Sequence, residues 1–413
     1  MSAISTKIEP FQWRRFFVVA GPGVVVMLAD TDAGSLITAA QSGAQWGYRL
    51  LALQIALIPI LYIVQELTVR LAMVTGKGQV QLIIEKFGRG WAWVSVTALI
   101  VSCLGALLTE LTGLAGVGAL MGVPMTVTLA LVVVALMFMA VTHSYLTVER
   151  IAIAVGAFEL VFLVVAWLAH PSLSELANGA VTIPIADPKY LYLASANIGA
   201  VIMPWMVFFQ QSSIVERGLK VRDLRSARVD TAIGAVVTQL VMAAALVAVG
   251  ATLGKQGGDQ QLDTVEQIAE AITPVLGEFG GKLLFGLGMI GASLVAAIVV
   301  TLTAARTLAE VMGAKHSLDH GVTEAPWFYG AYALALVVAA VVVASGVNLV
   351  ALSVAVQVMN ALLLPIVLGF LFLLARVLPR PYRLEGVYAW IAGALIAVTT
   401  VFGVVSGVSG FWS

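Results

Sequence analysis

The chain has 413 residues, 61% of them hydrophobic and only 11% charged, with a mean hydropathy of +1.02 and no formal net charge at pH 7. Soluble domains carry about 25% charged residues, so the composition excludes one and describes a polytopic membrane protein. Zero net charge offers nothing to nucleic acid or an acidic partner, and the single Cys103 excludes an internal disulfide and a cysteine metal cluster.

The first seventeen residues show no short apolar core with a small-residue cleavage site, so no signal peptide is expected. Runs of about 20 apolar residues cross a bilayer. The chain holds such runs at 17–42, 49–74, 92–121, 124–142, 147–169, 191–214, 229–253, 282–312, 327–345, 348–376 and 386–410. With the N-terminus in the cytoplasm, only Arg49, Lys189, Lys255 and Lys282 of the 22 Lys and Arg fall outside. The positive-inside bias therefore predicts a cytoplasmic N-terminus and an external C-terminus, in the plasma membrane, the inner membrane of a bacterium.

Span one carries the segment Asp30-Thr31-Asp32-Ala33-Gly34-Ser35 inside an otherwise apolar run. Each carboxylate costs about 2.5–3.5 kcal/mol at a bilayer centre. Gly34 relaxes the backbone, which predicts a broken helix of the kind that holds a cation near the midplane. Asp30 is expected to cap or pair rather than coordinate. For Asp32 no cationic partner stands in the middles of the neighbouring spans.

Between the spans, 170–188 reads as an outer connection, 216–228 as a basic, topology-setting inner loop, and 255–279 as an acidic stretch with a short amphipathic helix over Val265 to Ile272. Glu66 with Arg70 one turn on reads as an interfacial pair. Glu110 and Glu159 lie deep in spans three and five; each is either a proton site or a protonated acid bonding a neighbouring helix. Gln239, Gln357 and Asn360 are further polar groups at depth. Gln357 is either an amide-oxygen ligand or helix–helix glue. The four histidines, His143, His170, His316 and His320, sit near span ends or in loops, a poor arrangement for a metal site.

Span six holds Asn197 to Trp205, where Pro204 removes a donor and frees carbonyls one turn back, near Ala200. Spans one and six are the same element if the chain is two five-helix halves of opposite topology. Those halves would be residues 16–169 and 190–376 of a single transporter domain, with 386–410 as an eleventh helix. Facing each other, the two breaks would offer the Asp32 carboxylate, the Ser35 hydroxyl or a neighbouring carbonyl, the Ala200 carbonyl and the Met203 thioether. Oxygens suit a hard divalent cation; a thioether shifts preference toward later transition metals. Core packing is the competing reading of Met203. The spans hold no nucleophile–base pair, so no enzyme is expected, and the expected partners are the metal ion and the bilayer, with no cofactor and no obligatory protein partner.

These residues carry a resemblance. Asp32-Ala33-Gly34-Ser35, eleven residues before Gly43-Ala44-Gln45-Trp46-Gly47-Tyr48, resembles the Asp-Pro-Gly-Asn start of the Nramp family of divalent metal transporters. Ala200-Val201-Ile202-Met203-Pro204-Trp205 resembles the family's helix-six motif, Gln357 with Pro365 its helix-ten pattern, and Glu110 with Gly113 its helix-three pattern. The resemblance implies a LeuT-like fold, an all-α membrane protein with a 5+5 inverted repeat, and metal bound by Asp32, Ser35, Ala200 and Met203, with Gln357 beside them.

Departures are as informative. Family Pro and Asn are Ala33 and Ser35, two helix-six histidines are Trp205 and Gln210, and an acid one turn before Glu110 is Leu107. Histidine titrates near neutral pH; tryptophan and glutamine do not. The pattern is similar to the Nramp-related magnesium branch and implies weak or absent proton coupling, with Glu110, Trp205 and Gln210 left as proton or supporting positions. Magnesium keeps its waters and needs no thioether, so Met203 favours manganese or iron. Alternatives are a proton-coupled symporter and an amino-acid or organic-cation carrier on the same fold. For an amino acid, Asp32 would repel the substrate carboxylate.

Overall fold

The computed structural model describes residues 22–142, 154, 156–254, 261–313 and 321–411. Residues 1–21, much of the start of span five, Lys255, His143, His316 and His320 lie outside them. Among the described residues every regular element is helical. Span one is two helices, α1 (Pro22–Asp30) and α2 (Ala33–Trp46). There follow α3 (Leu51–Thr75), α4 (Gln79–Phe87), α5 (Arg89–Leu120) and α6 (Met125–Thr142). Span five appears as a 3-10 turn over Ala157–Leu160 running into α7 (Val161–Leu168), and α8 (Leu173–Val181) lies beyond it. Span six is α9 (Pro188–Val201) and α10 (Pro204–Glu216). The remainder is α11 (Leu224–Thr252), α12 (Val265–Leu276), α13 (Glu278–Met312), α14 (Pro326–Ala344), α15 (Leu349–Arg376) and α16 (Gly386–Phe411).

Among the described residues, eight helical segments are long and apolar enough to cross a membrane; the pair over 157–181, bent by 107°, counts as a ninth. Span one is outside that set: its second half has 14 residues, and nine residues of its first half are described. The helix α6 carries only a short apolar stretch, Met125–Val141. The amphipathic helix expected from Val265 is present as α12, opened by Thr264 and Gln267 in a reciprocal cap. Two short helices were not foreseen. The helix α4 fills the turn between spans two and three, and α8 lies within the outer connection.

The span formed by α9 and α10 has 89% of its most apolar window buried, against 39% for α14 and α16. Span six is thus central and α14 and α16 peripheral. Around it α5 packs along α13, α1 against α11 and α13, and α2 against α11 and α15. The helix α9 lies on α15 and α16, and α10 on α3. At one end of the bundle the expected Glu66–Arg70 pair, with N–O distances down to 2.6 Å, is part of a larger knot. Glu66 also accepts from Arg228 at 2.7 Å and from the Tyr388 hydroxyl at 3.1 Å, tying α3 to α11 and α16.

Candidate metal site

The break in span one follows from residue type. Aspartate is a strong N-cap former. Asp32 takes an extended conformation (φ −64°, ψ 171°), and its Oδ1 accepts from the Ser35 backbone N–H at 2.6 Å, starting α2. That leaves Oδ2 fully buried with no hydrogen-bond donor. The half-helix α2 points its positive N-terminal end at this carboxylate.

In span six the break sits at Ile202 and Met203, where α9 ends and Met203 turns extended (φ −91°, ψ 137°). Pro204 does not kink a continuous helix, as the sequence alone had implied. It opens α10 at the first helical position, where its missing N–H costs nothing and its fixed φ is already helical.

The two breaks meet. Ser35 Oγ donates to the Ala200 carbonyl at 2.9 Å. Asp32 lies one turn before Ser35 and Met203 one turn after Ala200, and all four are buried. On the third side Glu110 of α5 accepts from the Ala33 N–H at 3.2 Å and from Thr109 Oγ1 at 3.3 Å. Asp32 and Glu110 thus both take a backbone N–H from the first turn of α2, from Ser35 and Ala33 respectively.

On the fourth side is Gln357 of α15. A Cβ on Gly34 would strike its Nε2, so the glycine leaves room for the amide where it now stands. The expected oxygen ligand is turned away: Gln357 Oε1 accepts from Asn360 Nδ2 at 2.9 Å, while Nε2 has no partner. Asn360 Oδ1 in turn accepts from Ser102 Oγ at 2.7 Å.

Trp205, buried, donates Nε1 to Met203 Sδ at 3.2 Å, so it takes the place of a titratable group with a fixed N–H aimed at the sulfur. Gln210 lies away from this centre, with Nε2 3.5 Å from Thr231 Oγ1. Asp30 neither caps nor pairs: both its carboxylate oxygens are buried without a partner among the described residues. Among the described residues no three His, Cys, Asp or Glu converge as a metal cluster, so a metal here would depend on backbone, hydroxyl and thioether groups beside a carboxylate.

Sequence reasoning missed Thr31, whose hydroxyl meets the Leu28 carbonyl at 3.0 Å and the Glu159 carboxylate. It also missed a polar chain beside the site, Gln54 to Asn197 at 2.6 Å and Asn197 to Ser42 at 2.8 Å. Their signal was a polar residue in each of three apolar runs.

Set beside known proteins, the chain matches the family model "Natural resistance-associated macrophage protein-like" (Nramp) over residues 23–409. Its curated relatives include the "Divalent metal cation transporter MntH" of Chromohalobacter salexigens, 28% identical over 319 residues, covering 73% of this chain and 72% of that one. The protein of the same name from Verminephrobacter eiseniae is 27% identical over 368 residues, covering 84% and 78%. Among solved structures, the manganese transporter of Eremococcus coleocola aligns with a TM-score of 0.79 at 17% identity, covering 97% of this chain and 89% of that one. MhsT in complex with L-phenylalanine aligns at 0.64 and 13% identity, covering 94% and 98%. At these identities the two structures show a shared fold, the LeuT-like one.

Proposed function

The chain belongs to the Nramp family, and on that premise we propose that it carries divalent metal cations across a membrane by alternating access around Asp32 and Met203. The observation that supports this reading is the Ser35–Ala200 hydrogen bond, because it ties the segment that carries the unpartnered Asp32 oxygen to the segment that carries the Met203 thioether. In this proposal Asp32 Oδ2 supplies charge, the Ser35 hydroxyl and Ala200 carbonyl supply oxygen, and Met203 Sδ supplies preference for manganese or iron over magnesium and calcium. Gln357 joins them by a paired amide flip. Turning the amides of Gln357 and Asn360 together, with Ser102 changing from donor to acceptor, keeps both hydrogen bonds and aims Oε1 at the ion.

Proton coupling is weak or absent in this reading, because Trp205 and Gln210 carry no group that titrates near neutral pH. The N-terminus is placed in the cytoplasm and the C-terminus outside by the distribution of Lys and Arg.

Flux into liposomes of manganese, magnesium and calcium, at matched and unmatched pH, tests the proposal. Saturable manganese uptake, weaker uptake of the other two and indifference to a pH gradient are expected. Absence of saturable metal uptake would remove the transport reading, and lumenal acidification in step with metal entry would remove the uncoupled one.

A further inference from the structure

We propose that the break in span one holds a second cation site on the side facing helix five, an all-oxygen site for a hard alkali or alkaline-earth cation, formed by Asp30, Thr31 and Glu159. It does not rest on the manganese reading: none of its atoms is a ligand in that proposal.

The site has acceptors in excess. Asp30, the last residue of α1, is 0% exposed and both its carboxylate oxygens lack a partner. Glu159, in the turn Ala157–Leu160, is 1% exposed; its Oε2 meets the Thr31 hydroxyl and its Oε1 has no partner. The Thr31 hydroxyl owns one hydrogen and faces two acceptors, Glu159 and the Leu28 carbonyl. Asp30 and Glu159 lie close enough to repel each other and Asp32. Among the described residues no Lys, Arg or His answers Asp30 or Glu159. Buried charges without a counter-charge cost several kcal/mol each, so a positive species belongs there.

Two features select a metal cation of hard character. Every donor is oxygen: two carboxylates, a hydroxyl and the carbonyls at the C-terminal end of α1. Such a helix end carries negative partial charge, and half-helix C-terminal ends are where transporters hold coupling ions. Thr31 and Glu159 also line a cavity of about 230 Å³ whose remaining walls are mostly apolar, among them Met27, Leu28, Ile233, Val237 and Val241. Asp30 ends α1, and Asp32 closes the two-residue break that follows it and caps α2.

The test uses the purified full-length chain without manganese, its thermal midpoint followed while sodium, potassium, magnesium or calcium chloride replaces choline chloride. At least one of the four cations should raise the Tm saturably. The rise should vanish in Asp30→Asn and in Glu159→Gln and survive in Asp32→Asn, which removes the metal-site charge and keeps a side-chain oxygen to cap α2. Should one of the two variants misfold, the other carries the comparison, with manganese calorimetry as its check of folding. No response in the wild type, a response retained in both variants, or a response lost in Asp32→Asn would overturn the proposal. So would loss in Glu159→Gln of metal-driven proton uptake, since a proton would then be the occupant.

Discussion

Ser35 Oγ lies 2.9 Å from the Ala200 carbonyl, a direct polar tie between the two interrupted spans. The hydroxyl gives its hydrogen to Ala200 and keeps its lone pairs, so one side chain both fixes the breaks and faces the space between them. Ser35→Ala removes a bond worth about 1 kcal/mol. Manganese affinity should fall roughly fivefold with the thermal midpoint little changed, as calorimetry and a melting curve would record.

Met203→Ala removes the soft ligand. Calcium and magnesium uptake should rise relative to manganese by more than manganese transport itself falls, read from competition flux in proteoliposomes.

The Trp205 indole N–H occupies electron density on the Met203 sulfur. Trp205→Phe frees that lone pair while preserving an aromatic ring. The variant should bind cadmium more tightly relative to manganese than the wild type does, a ratio obtained by calorimetric competition.

Gly199 is packed so closely on α15 that a Cβ would run into the Gln357 carbonyl and stand 2.7 Å from the Ala361 nitrogen. The clash is with backbone, which cannot rotate away. Gly199→Ala should therefore destabilise by about 1–3 kcal/mol, lowering the thermal midpoint and uptake together.

Glu66 answers two arginines, Arg70 and Arg228, and a tyrosine at once. Glu66→Gln leaves the guanidinium of Arg70, with 8% of its side chain exposed, short of a counter-charge. The loss should be about 3 kcal/mol, near the lower end for a broken buried pair, because the Arg228 side chain is 40% exposed. Chemical denaturation in detergent measures it.

The interruption of span one was legible because Asp30 to Ser35 is a polar island in an apolar run, and its cost needs a purpose. The second interruption was legible from Pro204, although its role was misplaced: proline read as a kink is a helix start here. What the Asp32 carboxylate does was half visible, since one oxygen is spent capping α2. The partners of Asn197, Gln357 and Glu159 were not legible. In a helix apolar on every side, periodicity does not say which face looks inward, so which polar residues meet is decided by packing between segments far apart in sequence. The short helices α4 and α8 were hidden for the opposite reason, being amphipathic stretches too brief to stand out between spans.

Manganese uptake by proteoliposomes carrying wild-type chain or Asp32→Ala tests the central claim most directly. The account predicts saturable uptake by the first and none above empty vesicles by the second, with both proteins equally folded and reconstituted. Equal uptake by the two would contradict it.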